Sequence, residues 1–143
     1  MSDPLYRKEL LRLAADAIGA GRLGNPDGSA TVHNPACGDR VTVEIRLKDG
    51  RIAALAHQTQ ACVLTQASAA ILAAHVQGLD PSTLKALADD IAAMLSGGAA
   101  PTAPFQDYGV FDGVADHKGR HKCVLLPLEA ALAATSEAAK PGA

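Results

Sequence analysis

Four residues of this 143-residue chain could share one chemistry: Cys37, Asp39, Cys62 and Cys123. Thiolates bind soft metals and attack sulfur, and a carboxylate adds a hard oxygen donor. Three thiolates and one carboxylate suit a tetrahedral zinc ion. They suit equally an iron–sulfur cluster with one oxygen ligand, which is easier to release than an all-sulfur one. In Cys37-Gly38-Asp39 the glycine permits a tight backbone, so both side chains could enter one pocket. The chain has no Cys-x-x-Cys pair. Separated cysteines also occur as buried structural thiols, and an aspartate beside glycine as a turn residue. Spacing alone leaves both readings standing.

The elements around these residues must bring them together. Tyr6, Leu10, Leu13 and Ala17 recur at helical spacing, which predicts an amphipathic helix over 3–20, stopped by Gly19, Gly21 and Gly24. Asn25 to Gly28 reads as a turn, and Ala30 to Asn34 as a short first strand. Val41, Val43, Ile45 and Leu47 alternate with polar residues, the pattern of a half-buried strand. Asp49-Gly50 signals a two-residue hairpin and a returning strand over 51–60. Residues 62–77 read as a largely buried helix ended by Gly78, and Asp80-Pro81-Ser82 as the start of another, with Leu84, Leu87, Ile91 and Met94 on one stripe. Residues 96–118 are expected to form a long irregular connection of the functional or mobile kind. A last helix should run from about Cys123 to Thr135, with Pro127 tolerated only near its first turn. Cys62 and Cys123 then fall at helix N-termini, where partial positive charge favours thiolate.

The expected fold class is α+β, a small antiparallel sheet of about three strands packed with several helices. Residues 1–135 are expected to form one domain, and 136–143 a flexible tail.

Composition excludes several functions. Hydrophobic residues are 48%, charged residues 20% and the formal charge is −2, with no basic stripe for a phosphate backbone. Aromatics are 3%, too few for a base-stacking surface, so no nucleic acid is expected. Polar residues interrupt Ala61 to Leu79, the most apolar stretch, and the N-terminus lacks the apolar core of a secretory signal. The expectation is a cytoplasmic protein with reduced thiols and no membrane span. There is no Walker loop, dinucleotide fingerprint or defensible Ser-His-Asp order. Among the histidines, His121, two residues from Cys123, could substitute as a ligand in some states. His33 reads as a strand end, His57 as a sheet-face residue, His75 as a core residue and His117 as exposed.

Three motifs then add a resemblance. His33-Asn34-Pro35-Ala36-Cys37-Gly38-Asp39 resembles the NPxCGD signature of the IscU/NifU/SufU family of iron–sulfur scaffold proteins. Gln60 to Ala69 resembles the family's second cysteine motif, and Arg120 to Ala130 the third, in the R-x-K-C form of SufU-type proteins. The long gap between Cys62 and Cys123, the missing LPPVK motif, and Lys122 in place of histidine before Cys123 are similar to the SufU branch. Ala61 stands where the family usually has glycine.

The resemblance implies that Cys37, Asp39, Cys62 and Cys123 hold zinc or a transient [2Fe–2S] cluster. It implies a cysteine desulfurase as sulfur donor, and other iron–sulfur assembly proteins or apo-protein clients as recipients. It points to a scaffold rather than an enzyme. The alternative is a zinc-dependent persulfide sulfurtransferase that stimulates the desulfurase without carrying a stable cluster. Cys37 is the first candidate for persulfide acceptor and Cys123 the second, and Arg120 is a candidate orienting residue.

Overall fold

A computed structural model describes residues 8–35 and 38–139. The alternating segment forms the middle strand of a three-stranded antiparallel sheet in the order β1 (Gly28–Asn34), β2 (Asp39–Lys48), β3 (Arg51–Gln60). Val41, Val43 and Ile45 point from β2 into the core and are almost wholly buried. The opposite face carries Thr31 and Thr42, whose hydroxyls share a 2.8 Å hydrogen bond across the β1–β2 pair. The β2–β3 hairpin turns on Asp49 and Gly50, at φ 55° and 76°. Two consecutive positive φ values define the type I′ turn whose twist matches the strands it joins.

Four α-helices accompany the sheet: α1 (Lys8–Asp16), α2 (Val63–His75), α3 (Pro81–Leu95) and α4 (His121–Ala139). Helix α4 lies along β1 and β2, α2 packs on β3 and α4, and α1 and α3 cover α2 and α4. This bears out the α+β class. Asp80 caps α3 by accepting from the Thr83 N–H at 2.8 Å, with Pro81 in the first turn, where its missing N–H costs nothing. Leu84, Leu87, Ile91 and Met94 form the buried stripe that their spacing predicts.

Three expectations need correction. First, α1 ends at Asp16 rather than continuing to residue 20, because Ala17 and Gly19 take positive φ and turn the chain against β3. The expected residues 3–7 of that helix lie outside the described residues. Second, 96–118 is irregular only in part, over 96–105. Gln106–Val114 forms a 3-10 segment, and Lys118–Arg120 a short 3-10 turn. Phe105, Tyr108, Phe111 and Val114 recur every third residue and are buried, so aromatic burial fixes the segment. Third, α4 begins two residues early and runs through Ala139, taking in part of the expected tail.

Pro127 therefore stands inside α4, past the first turn. Proline has no N–H to continue the ladder. Nearby, the Ser68 hydroxyl of α2 donates to the Val124 carbonyl at 2.6 Å and ties the two helices together. Burial of Leu126, Leu128 and Ala130 on either side offsets the cost of the break. No described helix is long and apolar enough to cross a membrane.

Candidate metal centre

The ends of three elements meet at one end of the sheet. Asp39 is the first residue of β2, where it pairs with Asn34 at the mouth of the β1–β2 turn. Gly38, at φ 75°, closes that turn by donating its N–H to the Asn34 carbonyl at 2.9 Å. Cys62 is the N-cap of α2, in extended conformation, and its carbonyl accepts the first helical bond, from the Gln66 N–H at 3.0 Å. Cys123 is the third residue of α4. One donor atom from each of Asp39, Cys62 and Cys123 lies within 4.8 Å of the others. Asp39 and Cys123 are buried, and Cys62 is half-buried.

This donor set fits a zinc or iron ion. Two sulfurs each about 2.3 Å from one ion stand no more than about 4.6 Å apart. Small side-chain rotations would therefore close the group on an ion. Cys37, the fourth expected donor, lies outside the described residues.

Electrostatics favour the ligating form of Cys62. Its thiol pKa is lowered to about 6, first by the Cys123 sulfur beside it and then by the Thr65 hydroxyl and N–H. Burial and the Asp39 charge oppose the shift.

Thr65 is the residue that sequence reasoning missed. It is fully buried, donates its hydroxyl to Asp39 Oδ2 at 3.3 Å, and lies 3.5 Å from Cys62 Sγ. The available signal was position, because N3 of a helix faces its N-cap. Behind the group, Ser68 and Tyr108 join α2 to the 3-10 segment: the Tyr108 hydroxyl donates to the Ser68 carbonyl at 2.9 Å. Burial holds the Tyr108 phenol well above its usual range, so it remains a donor.

The histidines stand apart from this group. His121 Nε2 engages the Ala115 carbonyl at 3.1 Å, and the imidazole is not among the clustered donors. His33 and His117 are exposed. His75 lies edge-on to Phe105 and 3.8 Å from Asp107, about a third exposed rather than in the core. His57 is on the sheet as expected, but on its buried face, 4% exposed. Arg120 ends the 3-10 turn that leads into α4, three residues before Cys123.

Comparisons with known proteins agree with this architecture. The NifU-like N-terminal domain model matches residues 5–124. The crystal structure of a nitrogen-fixing NifU-like protein (N-terminal part) from Brucella abortus is similar at TM-score 0.90, with 36% identity and 95% of each chain covered. A protein from Fervidobacterium islandicum, described as a SUF-system iron–sulfur cluster assembly scaffold, shares the fold at TM-score 0.85. It is 20% identical, with 94% of this chain and 99% of that one covered. The iron–sulfur cluster assembly scaffold protein IscU 1 of Archaeoglobus fulgidus is 35% identical over 78 residues, 54% of this chain. That match spans about half the length of the relative, 51%. The IscU scaffold protein of Thermotoga maritima is 20% identical over 96% of both chains. The resemblance read from the three cysteine motifs is borne out at the level of the family, and the chain belongs to the NifU-like N-terminal domain family.

Proposed function

We propose that this protein is a scaffold for iron–sulfur cluster assembly. It would hold a nascent [2Fe–2S] cluster as cargo on Cys37, Asp39, Cys62 and Cys123. The observation that carries the reading is the convergence of Asp39, Cys62 and Cys123 donors within 4.8 Å. Cys37 joins the set from its position two residues before Asp39. In this reading one domain works in the cytoplasm, takes sulfur from a cysteine desulfurase, and passes the cluster to other assembly proteins or apo-protein clients.

Sulfur arrives as a persulfide. A thiolate of this chain attacks the outer sulfur of the donor; one S–S bond forms, another breaks, and the desulfurase cysteine leaves as thiolate. Cys37 is the first acceptor. Cys123, the second, is 1% exposed, which shields it from an incoming donor. Arg120, just ahead of α4, would orient the partner.

A second reading, a SufU-type zinc-dependent sulfurtransferase, is favoured by a donor set compact enough for a single ion. Metal and acid-labile sulfide in protein purified without oxygen test both. Iron with matching sulfide supports the scaffold. One zinc per chain, no sulfide and faster desulfurase turnover support the sulfurtransferase. Neither metal, even after reconstitution, overturns the site.

A further inference from the structure

Resting on that metal reading, we propose that Thr65 is the positioning residue that makes Asp39 a one-oxygen ligand. A threonine inside a helix commonly returns its hydroxyl proton to the carbonyl four residues back. Thr65 is the third residue of α2, so the residue four back, Ala61, lies ahead of the N-cap, and its carbonyl accepts from Gln66 Nε2 at 2.8 Å. The Thr65 hydroxyl donates instead to Asp39 Oδ2 at 3.3 Å. The pairing joins α2 to the first residue of β2 inside a buried pocket, where both residues are almost fully covered.

A hydroxyl has one proton. In a loaded site its two neighbours, the Asp39 carboxylate and the Cys62 thiolate, are both acceptors. The hydroxyl stands within hydrogen-bonding reach of both, 3.3 Å from Asp39 Oδ2 and 3.5 Å from Cys62 Sγ, and so ties the carboxylate to the Cys62 side of the pocket. With Oδ2 held, Oδ1 is the oxygen left for an ion. Fixing a ligating carboxylate through an outer hydrogen bond typically contributes about 10–100-fold in metal affinity. Sequence gave no hint of the pairing, because Thr65 and Asp39 belong to different elements.

Cobalt(II) tests this on the full chain, because its visible bands report the ligand set directly. Thr65→Val keeps the shape and removes the proton. It should weaken cobalt binding by about 10–100-fold and shift the visible bands toward those of Asp39→Ala. Thr65→Ser should restore affinity and spectrum. Combining Thr65→Val with Asp39→Ala should weaken binding no further than Asp39→Ala alone, because the two act through one ligand. Thr65→Ala, which adds no bulk, repeats the comparison if the valine variant folds poorly. Wild-type affinity and spectrum in both Thr65→Val and Thr65→Ala overturn the proposal, as do losses that add to that of Asp39→Ala. Absence of thiolate-to-cobalt bands in the unsubstituted chain overturns the metal reading itself, and this inference with it.

Discussion

Two buried polar clusters in this fold, one at His57 and one at Thr65, are built differently. At His57 every hydrogen-bonding atom has a near partner. Nε2 meets the Ile18 carbonyl at 2.9 Å, which makes it the protonated nitrogen, and Nδ1 then accepts from the Thr59 hydroxyl at 2.9 Å. The His57 N–H donates to the Gly19 carbonyl, and the His57 carbonyl accepts from Gly21, both at 2.9 Å. Gly19 lies so close to α2 that a Cβ there would stand 2.4 Å from that of Ala73. At Thr65 the hydroxyl lies 3.3 Å from Asp39 Oδ2 and 3.5 Å from Cys62 Sγ, and a carboxylate and two thiols bring metal-ligating atoms within 4.8 Å of one another. The His57 cluster is closed and holds the α1–β1 connection to the sheet. The other gathers three groups of metal-ligating type, the donor set that an ion would need.

The comparison can be broken most sharply at the thiols. Cys62→Ser and Cys123→Ser should each lower zinc affinity by orders of magnitude, since structural zinc contributes about 10 kcal/mol or more in small domains. Competition against a chromogenic chelator would show it, with the urea midpoint of the metal-free protein little changed. Next, His57→Ala should cost about 2–4 kcal/mol of stability by urea unfolding, from the cavity and the orphaned Ile18 carbonyl. Its zinc affinity should stay as it was; a large loss would show that the two clusters are one.

Asp39→Ala should lower zinc affinity by about one to two decades, less than either cysteine change. Visible absorbance should show a reconstituted cluster lasting longer, because the labile oxygen ligand is gone. The smallest effect is that of pH. Burial depresses the His57 pKa below its usual value, against the opposing pull of the Ile18 carbonyl. The unfolded chain then binds the extra proton first, near pH 6.5. The contribution is complete above that pH and is lost as pH falls through the folded value. Unfolding curves from pH 7.5 to 5 should show this decline, and a His57→Gln variant should lack it.

Legibility followed the range of the interactions. The β2–β3 hairpin was readable because Val41 to Leu47 and Asp49-Gly50 carry their own periodicity and turn chemistry. The stripe and cap of α3 were readable for the same reason. The Asp39, Cys62 and Cys123 group was legible as a set of donor types and motifs, but its convergence depends on how α4 docks. The 3-10 segment was hidden because its glycines and aspartates resemble a loop, while Phe105, Tyr108 and Phe111 signal burial only at a three-residue period. The placement of Pro127 was misjudged because burial of its neighbours Leu126, Leu128 and Ala130 against other elements carries α4 through it. The pairing of Thr65 with Asp39 was invisible for a similar reason: that partner lies on a strand.

The three clustered donors arise from a strand end, a helix cap and the first turn of the last helix, far apart along the chain. Gathering them from the unfolded state means closing long loops, whose entropy cost rises slowly with length but is never small. An ion held on these residues would therefore act as a removable cross-link between the N- and C-terminal halves of the domain. It would stabilise the chain in proportion to the logarithm of free metal. In a cell that starves for metal, the empty protein would then be the more easily unfolded form, and its abundance would follow the supply of that ion.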